Sequence, residues 1–485
     1  MEPEHSRVIR LASRLGQVEE SEAWRRLSSS AVHIGFNPRL RGHEETLPFV
    51  LNLVRRLPWT VCLQRSGLSD PQADALLALA DAIDPERPIE WRDSAVAGAQ
   101  ALYINDEPVE SGIRIVPDNF GAHVARDTSR RITQAQPPSA LALGWAAARG
   151  VTELFADVMQ IPNNYRSDSG YETWCPVSLS PDLGAVVGSP QIIIDGALLG
   201  CGAIGTAVGL LLRDSRASGQ ILLADQQTYA IENRGTYSLG DHRDVLAATP
   251  KEEVVRNALP GMNVKLHHGD IEQLPALVDA GYVDWPRIVL CGLDNGESRR
   301  QAQRLWPDRL IDGQTGGYSV GMVDIVGGDG PCVACFFPPR GATPDLTTGR
   351  LIELTHLSME RVLAADIPLH PEELAHLTPT ELEEVKALIG LPPCAWVKAL
   401  GWGESTYLPA GPFVSLQAGC LIVGRLLAIS LGFKGLPNFV QYDALRGPLA
   451  VIAESRLRSA GCQCQARHHV TSQVRHLRAQ KAASR

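Results

Sequence analysis

The stretch LLGCGAIGTAVG (198–209) constrains the fold of this chain more than any other. Gly200, Gly202 and Gly205 form a G-x-G-x-x-G pattern, which lets a strand turn tightly into a helix whose free N–H groups face a phosphate. Strand-like segments alternate with helical ones around it, at 196–200, 220–225, 263–269, 287–292 and 309–313. This alternation predicts a Rossmann-like α/β fold with a mixed, mainly parallel sheet.

Polar residues follow the glycine turn in an order that favours ATP over NAD. Asp225 ends the second strand, where a Rossmann unit places the acid that binds ribose hydroxyls, and this suits either nucleotide. Asn233 and Arg234 lie in the next loop, and Pro250 is typical of a first helical position, which puts Lys251 on the first turn of a helix. A fixed arginine and lysine point to a polyphosphate, because cleavage of ATP develops charge on the phosphates that must be stabilised.

Asp294 and Asn295 follow the fourth strand, at the sheet edge where ligands of open α/β folds bind. A carboxylate there suits Mg²⁺, which prefers one or two carboxylates plus phosphate oxygens. Ordinary interpretations compete, since an Asp-Asn pair at a strand end is commonly a turn or a helix cap, and a single lysine is usually solvated. An NAD-binding oxidoreductase and an inactive nucleotide-binding scaffold are therefore alternatives, although Lys251 and Asp294 argue against the oxidoreductase.

Six segments, in order, resemble the adenylyltransferases of the ubiquitin-activating type, which include the ThiF and MoeB enzymes: GCGAIG, Asp225, NRGTY, TPKEEVVRNALPG, LDNGESR and PCVAC. The resemblance covers 190–465 and implies an ATP pocket lined by Gly200, Gly202, Gly205, Asp225, Asn233, Arg234, Lys251 and Asn295. In that pocket Asp225 would hold the ribose. Arg234 and Lys251 would contact phosphates and Asp294 would support Mg²⁺, which makes these three the expected catalytic groups.

Two cysteine pairs predict a metal site. Cys332 and Cys335 form a C-x-x-C, and Cys462 and Cys464 return near the C-terminus as a C-x-C. Four thiolates suit tetrahedral zinc, and the resemblance strengthens the expectation of Zn²⁺. A C-x-C stands where the family usually has C-x-x-C, and this shorter spacing would strain simultaneous binding of one metal ion by both thiols. His468 or His469 is then a substitute ligand. Ordinary buried thiols are the alternative.

The stretch between the cysteine pairs resembles the crossover segment of the family, which passes over the adenylate site, and we place it at 340–412. Cys394 lies in it beside a Pro-Pro pair, and it is the predicted nucleophile for a thioester, with a structural thiol as the alternative. Cys420 falls within a long apolar helix, where a thiol is usually inert packing.

The resemblance implies an activating enzyme. The C-terminal carboxylate of a ubiquitin-like or sulfur-carrier protein would attack the α-phosphate of MgATP, giving an acyl-adenylate and pyrophosphate. Cys394 would then capture the acyl group as a thioester for a conjugating enzyme. The alternative within the family stops at the adenylate and acts on a sulfur carrier or a peptide. On the same grounds we expect a homodimer.

Residues 1–185 carry no phosphate loop and mix helical stretches, such as 70–83, with strand-like ones, such as 112–118. We predict a smaller α/β domain there, with an inactive adenylation-like half as the favoured interpretation and an unrelated accessory domain as the alternative. Residues 466–485 are predicted to be a flexible basic tail. The net charge of −9 argues against a nucleic-acid partner. The absence of a signal peptide or a run of about eighteen uncharged apolar residues predicts a cytoplasmic protein with no membrane contact.

Overall fold

The computed structural model describes residues 3–126, 129–161, 170–188, 190–328, 330–338, 346–363, 368–391, 396, 409–459 and 462–483. The chain forms a large unit, Met1–Phe336 with Pro409–Arg485, and a small unit, Phe337–Leu408. The large unit holds two mainly parallel sheets, and we call the part of it up to residue 188 the N-terminal half and the rest of it the C-terminal half. The predicted α/β, Rossmann-like fold class is confirmed.

The sheet of the N-terminal half has seven strands in the order β3-β2-β1-β4-β5-β6-β7. Their bounds are β1 Ala31–Phe36, β2 Thr60–Leu63, β3 Glu90–Trp91, β4 Gln100–Ile104, β5 Ile113–Asp118, β6 Gly121–Ala125 and β7 Tyr171–Trp174. Strands β1 to β5 pair in parallel, and β6 and β7 pair antiparallel. Five helices accompany this sheet: α1 Ser6–Gly16, α2 Glu20–Ser28, α3 His43–Val54, α4 Asp70–Ile83 and α5 Ala140–Val158.

The sheet of the C-terminal half has eight strands in the order β10-β9-β8-β11-β12-β13-β14-β15. Their bounds are β8 Ile193–Leu199, β9 Ser218–Asp225, β10 Asn263–His268, β11 Ile288–Cys291, β12 Arg309–Gly316, β13 Ser319–Val326, β14 Phe439–Asp443 and β15 Ile452–Glu454. The helices up to the small unit are α6 Ala203–Asp214, α7 His242–Ala247, α8 Lys251–Asn257, α9 Leu274–Ala280, α10 Gly296–Gln303 and α11 Val333–Phe336. All five strands predicted from the alternation are present within a few residues of their predicted bounds.

The small unit is helical in its described part. It contains α12 Leu346–Thr355, α13 Met359–Leu363 and α14 Pro379–Val385. Its core is made by Leu351, Val362, Leu369, Leu374, Val385, Leu388 and Trp396. Helix α14 begins at a capping box, in which the Thr378 hydroxyl accepts from the Glu381 N–H and the Glu381 carboxylate accepts from the Thr378 N–H.

Three more helices complete the C-terminal half after the small unit: α15 Pro412–Ser430, α16 Gln463–Ala466 and α17 His468–Ala483. Helix α15 is the one helix in the described part of the chain that is long and apolar enough to cross a membrane, with a mean hydropathy of 1.7. Because 89% of that window is buried, α15 has the character of a core helix. It packs against α5 and α6 and beneath β12 and β13.

The two halves repeat one topology. Counted in chain order within each sheet, the first strand lies between the second and the fourth strands. In each half a long helix, α5 or α15, lies between the sixth and the seventh strands in the chain. These two equivalent helices pack on each other, with the Phe155 and Phe413 rings 5.0 Å apart and Gln417 Nε2 donating to Thr152 Oγ1 at 2.9 Å. The interpretation of the N-terminal half as an inactive adenylation-like half stays a prediction.

The C-terminal residues differ from the flexible tail predicted for 466–485. Residues 468–483 form α17, and its Arg478 is 7% exposed. The Arg478 guanidinium pairs with the Asp279 carboxylate at 2.8 and 2.9 Å, and it also donates to the Arg304 and Leu305 carbonyls. A basic composition predicts solvation, but here one of the cations docks the helix onto the sheet domain.

Candidate functional site

The glycine turn between β8 and α6 needs its glycines for steric reasons. Gly200 has φ +85°, in the left-handed region, and a Cβ there would lie 3.0 Å from the Gly292 carbonyl oxygen. A Cβ on Gly205 would lie 2.1 Å from the Gly200 oxygen, so no side chain fits. Gly202 is the cap residue of α6, and a Cβ there would meet only the Tyr237 hydroxyl, at 3.5 Å. No described side chain caps α6, so the N–H groups of its first turn are left for a ligand.

Asp225 is fixed beside this turn. One carboxylate oxygen accepts from the Cys201 N–H at 2.8 Å, and the other accepts from the Gln227 N–H at 2.9 Å. These bonds join the end of β9 to the glycine turn and hold the carboxylate in one orientation. The side chain is still half-exposed, so it has acceptor capacity left for the ribose hydroxyls that the sequence predicts.

Lys251 is the first residue of α8 and is 5% exposed. Its Nζ donates to Gln227 Oε1 at 2.6 Å and lies 5.2 Å from the centre of the Tyr237 ring. Burial lowers the Lys251 pKa, and the nearby carboxylates, Asp225 foremost and Asp294 among them, oppose that shift. The helix begins one residue later than predicted, because Pro250 is held extended in a bridge to Thr228.

Asn233 and Arg234 occupy the loop after β9. The buried Asn233 Oδ1 accepts from the Ala230 N–H at 2.8 Å, while its Nδ2 has no hydrogen-bond partner in the described part of the chain. Arg234 is 3% exposed and forms an ion pair with Glu4, and its Nη1 lies 3.1 Å from His242 Nδ1. The predicted phosphate contact of Arg234 would require this buried pair to open, so that role stays a prediction.

The sequence left two interpretations open for Asp294 and Asn295, a Mg²⁺ site and a helix cap, and the two residues differ in which one they fit. Asn295 is the cap of α10, where its Oδ1 accepts from the Ser298 N–H at 2.8 Å, and its Nδ2 donates to Asp294 Oδ1 at 3.0 Å. Asp294 itself is exposed just beyond β11. Its free carboxylate oxygen at the strand edge fits the donor chemistry of a Mg²⁺ site, whereas Asn295 serves the helix.

Sequence reasoning missed Arg7, which belongs to the N-terminal half. It lies on the first turn of α1, with Nη2 3.5 Å from Glu232 Oε1, and its charge contributes to lowering the Lys251 pKa. No motif surrounds Arg7, and Arg7 and Lys251 lie more than 200 positions apart in the chain. The repeated topology is the signal that could have directed attention to a cation from the other half.

The strand register explains why these groups converge. Leu199 at the end of β8 pairs with Ala224 of β9 on one side and Cys291 of β11 on the other. The strand order reverses between β8 and β11, so the glycine turn, Asp225 and Asp294 lie outside one topological switch point. Lys251 completes the group from α8, which precedes β10. This position is where open α/β sheets bind ligands.

The four predicted zinc ligands come together. Cys332 Sγ lies 3.5 Å from Cys462 Sγ and 4.0 Å from Cys335 Sγ, and Cys335 Sγ lies 3.6 Å from Cys464 Sγ. All four sulfurs lie within 4.8 Å of one another. Tetrahedral zinc with bonds of about 2.3 Å separates its sulfurs by about 3.8 Å, so the set fits Zn²⁺.

The C-x-C spacing does not prevent this gathering, contrary to the strain expected from the sequence. Cys462 precedes α16 and Cys464 lies on it, and their thiols meet those of Cys332, which precedes α11, and Cys335, which lies on α11. The Ser459 N–H also donates to Cys335 Sγ at 3.4 Å, as an outer partner of a metal ligand does. No histidine belongs to the cluster formed by the described residues.

The family model described as ThiF family matches residues 195–466, more than half of the chain. The chain belongs to the ThiF family. Comparison with curated proteins finds no match. Family membership supports an ATP-using adenylyltransferase as the class of enzyme.

Solved structures that resemble this ThiF-family chain include Escherichia coli MccB. Its complex with AMPCPP and MccA has a TM-score of 0.35 and 14% identity, covering 72% of this chain and 96% of that one. Its complex with ATP has a TM-score of 0.34 and 13% identity, with the same coverage. PaaA has a TM-score of 0.22 and 14% identity, covering 28% and 42%. Overlaps at these scores carry no inference about the substrate of this chain.

The cysteines of this ThiF-family chain bear on the thioester prediction. Cys394, the predicted nucleophile, lies outside the described residues. Of the other nine, four form the zinc-type cluster and five are buried. Burial raises the pKa of Cys420 and of Cys291 well above the ordinary value, which makes both thiols poor nucleophiles.

Proposed function

We propose that this chain is an ATP-dependent adenylyltransferase that activates the C-terminal carboxylate of a peptide or small protein. The observation that carries the proposal is the convergence of an open helix N-terminus, an oriented Asp225 and a buried Lys251 at one switch point. NAD-dependent chemistry would need the first two of these groups but not a buried cation beside the phosphates. Membership of the ThiF family supports the same activity.

Each group has a role in the proposed reaction. The first-turn N–H groups of α6 and the Lys251 ammonium would bind the phosphates, and the Asp225 carboxylate would accept from the ribose hydroxyls. Asp294 is the carboxylate that would hold Mg²⁺, and bound Mg²⁺ would neutralise charge on the phosphates. These residues fix ATP so that its α-phosphorus faces the incoming carboxylate.

The chemical step is a displacement at the α-phosphorus. A carboxylate oxygen of the substrate forms a bond to the α-phosphorus while the bond from that atom to the bridging oxygen of the β-phosphate breaks. The products are a mixed acyl-phosphate anhydride and pyrophosphate, and negative charge increases on the leaving pyrophosphate. The Lys251 ammonium would stabilise that charge at fixed distance without reorganising, which is the largest contribution that a protein commonly makes to such a step.

Adenylation is the step of the proposed reaction that rests on described residues alone. A thioester needs an accessible thiol, and the nine described cysteines are either buried or grouped as metal ligands. Capture by Cys394 and transfer to a conjugating enzyme is therefore the second candidate, and it depends on that residue alone. We therefore place the adenylate-only reaction, with a peptide or sulfur carrier as substrate, before the thioester reaction that the sequence indicated first.

The N-terminal half fits the role of a partner half within the same chain. It carries no glycine turn, repeats the topology of the active half, and packs α5 on α15. Through Arg7 it also places a cation next to the groups that surround Lys251. We propose that this half completes the nucleotide site in the way that a second subunit would.

ATP–pyrophosphate exchange tests the proposal. Candidate peptides and small proteins would be supplied with a free C-terminus and, as matched controls, with the same C-terminus amidated. We expect exchange that depends on the free carboxylate. NADH binding without ATP binding would support an oxidoreductase, and ATP binding without exchange for any carboxylate would support a scaffold; either result would overturn the proposal.

A further inference from the structure

The N-terminal half contains a polar cavity of about 390 Å³ that the proposed reaction does not use. Arg39 and Arg41 line it from the loop after β1, and Arg131 and Gln134 line it from the segment after β6. Asp106 contributes the carboxylate of the lining. Three arginines therefore line one small space.

The cavity lies at the switch point of its own sheet. Strand β1 pairs with β2 on one side and β4 on the other, so the strand order reverses between β1 and β4. The loops that follow these two strands are joined, because Asn37 Nδ2 donates to Asp106 Oδ1 at 2.9 Å. By topology this is the same position that the glycine turn and Asp294 occupy in the C-terminal half.

In the described part of the chain, the lining of the cavity carries three arginines and a single carboxylate, Asp106. Arg131 pairs with Asp106 at 3.5 Å and with Glu107 at 3.0 Å. Arg39 and Arg41 are exposed, and neither forms an ion pair or side-chain hydrogen bond with another residue in the described ranges. Arg39 and Arg41 therefore line the cavity without a described ion pair, while Asp106, the carboxylate of the lining, pairs with Arg131.

The walls of the cavity are fixed by bonds that leave these guanidinium groups free. The Arg39 N–H donates to Asn37 Oδ1 at 3.0 Å, and Leu40 between the two arginines is 4% exposed and anchors the loop. From the opposite wall, Gln134 Nε2 donates to the Arg41 carbonyl at 2.9 Å and to the Pro117 carbonyl at 2.7 Å. The loop is therefore held by its backbone, with its two cationic side chains available for a ligand.

We propose that this cavity binds a ligand through an anionic group, a carboxylate or a phosphate, at a site separate from that of ATP. The loop NPRLRG (37–42) replaces the glycine turn, so the close backbone approach that ATP phosphates use in the other half is absent. Guanidinium groups bind carboxylate and phosphate through paired N–H bonds. In this cavity the arginine side chains take the role that backbone N–H groups have at a glycine turn. The anion could be carried by an acidic chain segment or by a small phosphorylated molecule, which share this chemistry.

Calorimetric titration of the full chain tests the site with two probes, hexaglutamate and inorganic phosphate. The test variant is Arg39→Gln/Arg41→Gln, which keeps polar side chains of similar length at exposed positions. Arg25→Gln is the matched control, since Arg25 is an exposed arginine of the same half that pairs only with Glu22 among the contacts described. Lys251→Ala separates the ATP site from this one.

We expect the wild-type chain, Arg25→Gln and Lys251→Ala to bind at least one probe equally well at this site. Loss of a charge-assisted contact costs about tenfold in affinity, so the double variant should bind about a hundredfold more weakly while still binding ATP normally. Binding of hexaglutamate alone would assign the site to an acidic segment, and binding of phosphate alone to a phosphorylated molecule. Failure of both probes at millimolar concentration, or equal binding by the double variant, would overturn the proposal whatever the outcome of pyrophosphate exchange.

Discussion

Replacing Lys251 with methionine isolates the contribution of one buried charge to catalysis. The substitution keeps an unbranched apolar stem in the same space and removes the ammonium that bonds to Gln227. Gln227 is exposed, so water can replace the lost donor. Burial disfavours the charged lysine and lowers its pKa, so the native state gains nothing from the charge. We therefore expect the free energy of unfolding of Lys251→Met to equal or exceed that of the wild type.

The pH dependence of stability follows from the same shift. The unfolded chain binds a proton on Lys251 more tightly than the native chain does, because the native pKa is lowered. The free energy of unfolding of the wild type should therefore rise with pH between the lowered pKa and the ordinary value of about 10.5. Lys251→Met should lack this contribution.

The catalytic cost can be worked out from the burial of the ammonium. Two unit charges about 5 Å apart at an effective dielectric constant of about 20 interact by about 3 kcal/mol. If the Lys251 ammonium meets charge that develops only as pyrophosphate leaves, the whole of this energy is lost from the transition state. A loss of about 3 kcal/mol corresponds to a rate reduced about 150-fold.

Pyrophosphate exchange at saturating ATP measures this effect, with Lys265→Met as the control. Lys265 is 54% exposed and pairs with Asp284 on the same half, and an exposed pair of this kind is worth under about 1 kcal/mol. We expect exchange to fall only in Lys251→Met, with normal unfolding in urea. Exchange within about threefold of the wild type would show that Lys251 does not stabilise charge in the reaction.

Four further predictions concern the metal cluster, the acid sensitivity, the thioester and the in-chain partner. The purified chain should carry about one zinc ion by elemental analysis and lose it in Cys335→Ser, whereas wild-type protein without zinc would contradict the site. His5 is buried, accepts from Arg87 at 2.6 Å and has its pKa lowered to about 2 by burial first. Because only the unfolded chain binds a proton on His5 above pH 5, the free energy of unfolding of the wild type should fall by about 2 kcal/mol between pH 6.5 and 5 for this reason. The free energy of unfolding of His5→Gln, measured in urea, should fall by about 2 kcal/mol less over the same range. Equal falls in the two proteins would refute the assignment. Cys394→Ala should keep exchange but lose any reductant-sensitive conjugate, while Cys420→Ala should lose neither; a conjugate that survives in the first would exclude it as acceptor. Arg7→Gln should lower exchange about tenfold with unchanged unfolding, and normal exchange would place Arg7 outside the site.

The elements predicted most closely are those whose signals are local. Helix α4 spans the predicted 70–83 because Ser69 and Gln72 form a capping box and Pro71 lies in the first turn. Strands β8 to β12 follow from short apolar runs and the glycine turn, whereas β13, β14 and β15 were not predicted. The strand order of the N-terminal half does not follow from local signals, because β1 pairs with β4 across more than 60 residues that contain no motif.

The candidate site was predictable to the extent that it rests on backbone geometry. Gly200 and Gly205 are required by contacts within a single turn, and Asp225 by the end of a single strand. The position of Arg7 and the pairing of Arg234 depend on how the N-terminal residues pack on the other half, which spacing in the sequence does not encode. The sulfur cluster lies between these cases, since its residue types were evident but the geometry of a C-x-C depends on α16.

The ion pair between Glu4 and Arg234 changes the roles that the sequence suggests for the arginines of the site. Both side chains are less than 9% exposed, and separating such a pair leaves a buried charge uncompensated at a cost of about 3–5 kcal/mol. A phosphate contact by Arg234 would have to recover that cost before it contributed to catalysis. The pair instead fixes the 3₁₀ turn Pro3–His5, which leads directly into α1 and so sets the position of Arg7. The Arg7→Gln measurement of pyrophosphate exchange therefore tests whether a cation of the N-terminal segment, rather than Arg234, contacts the phosphates.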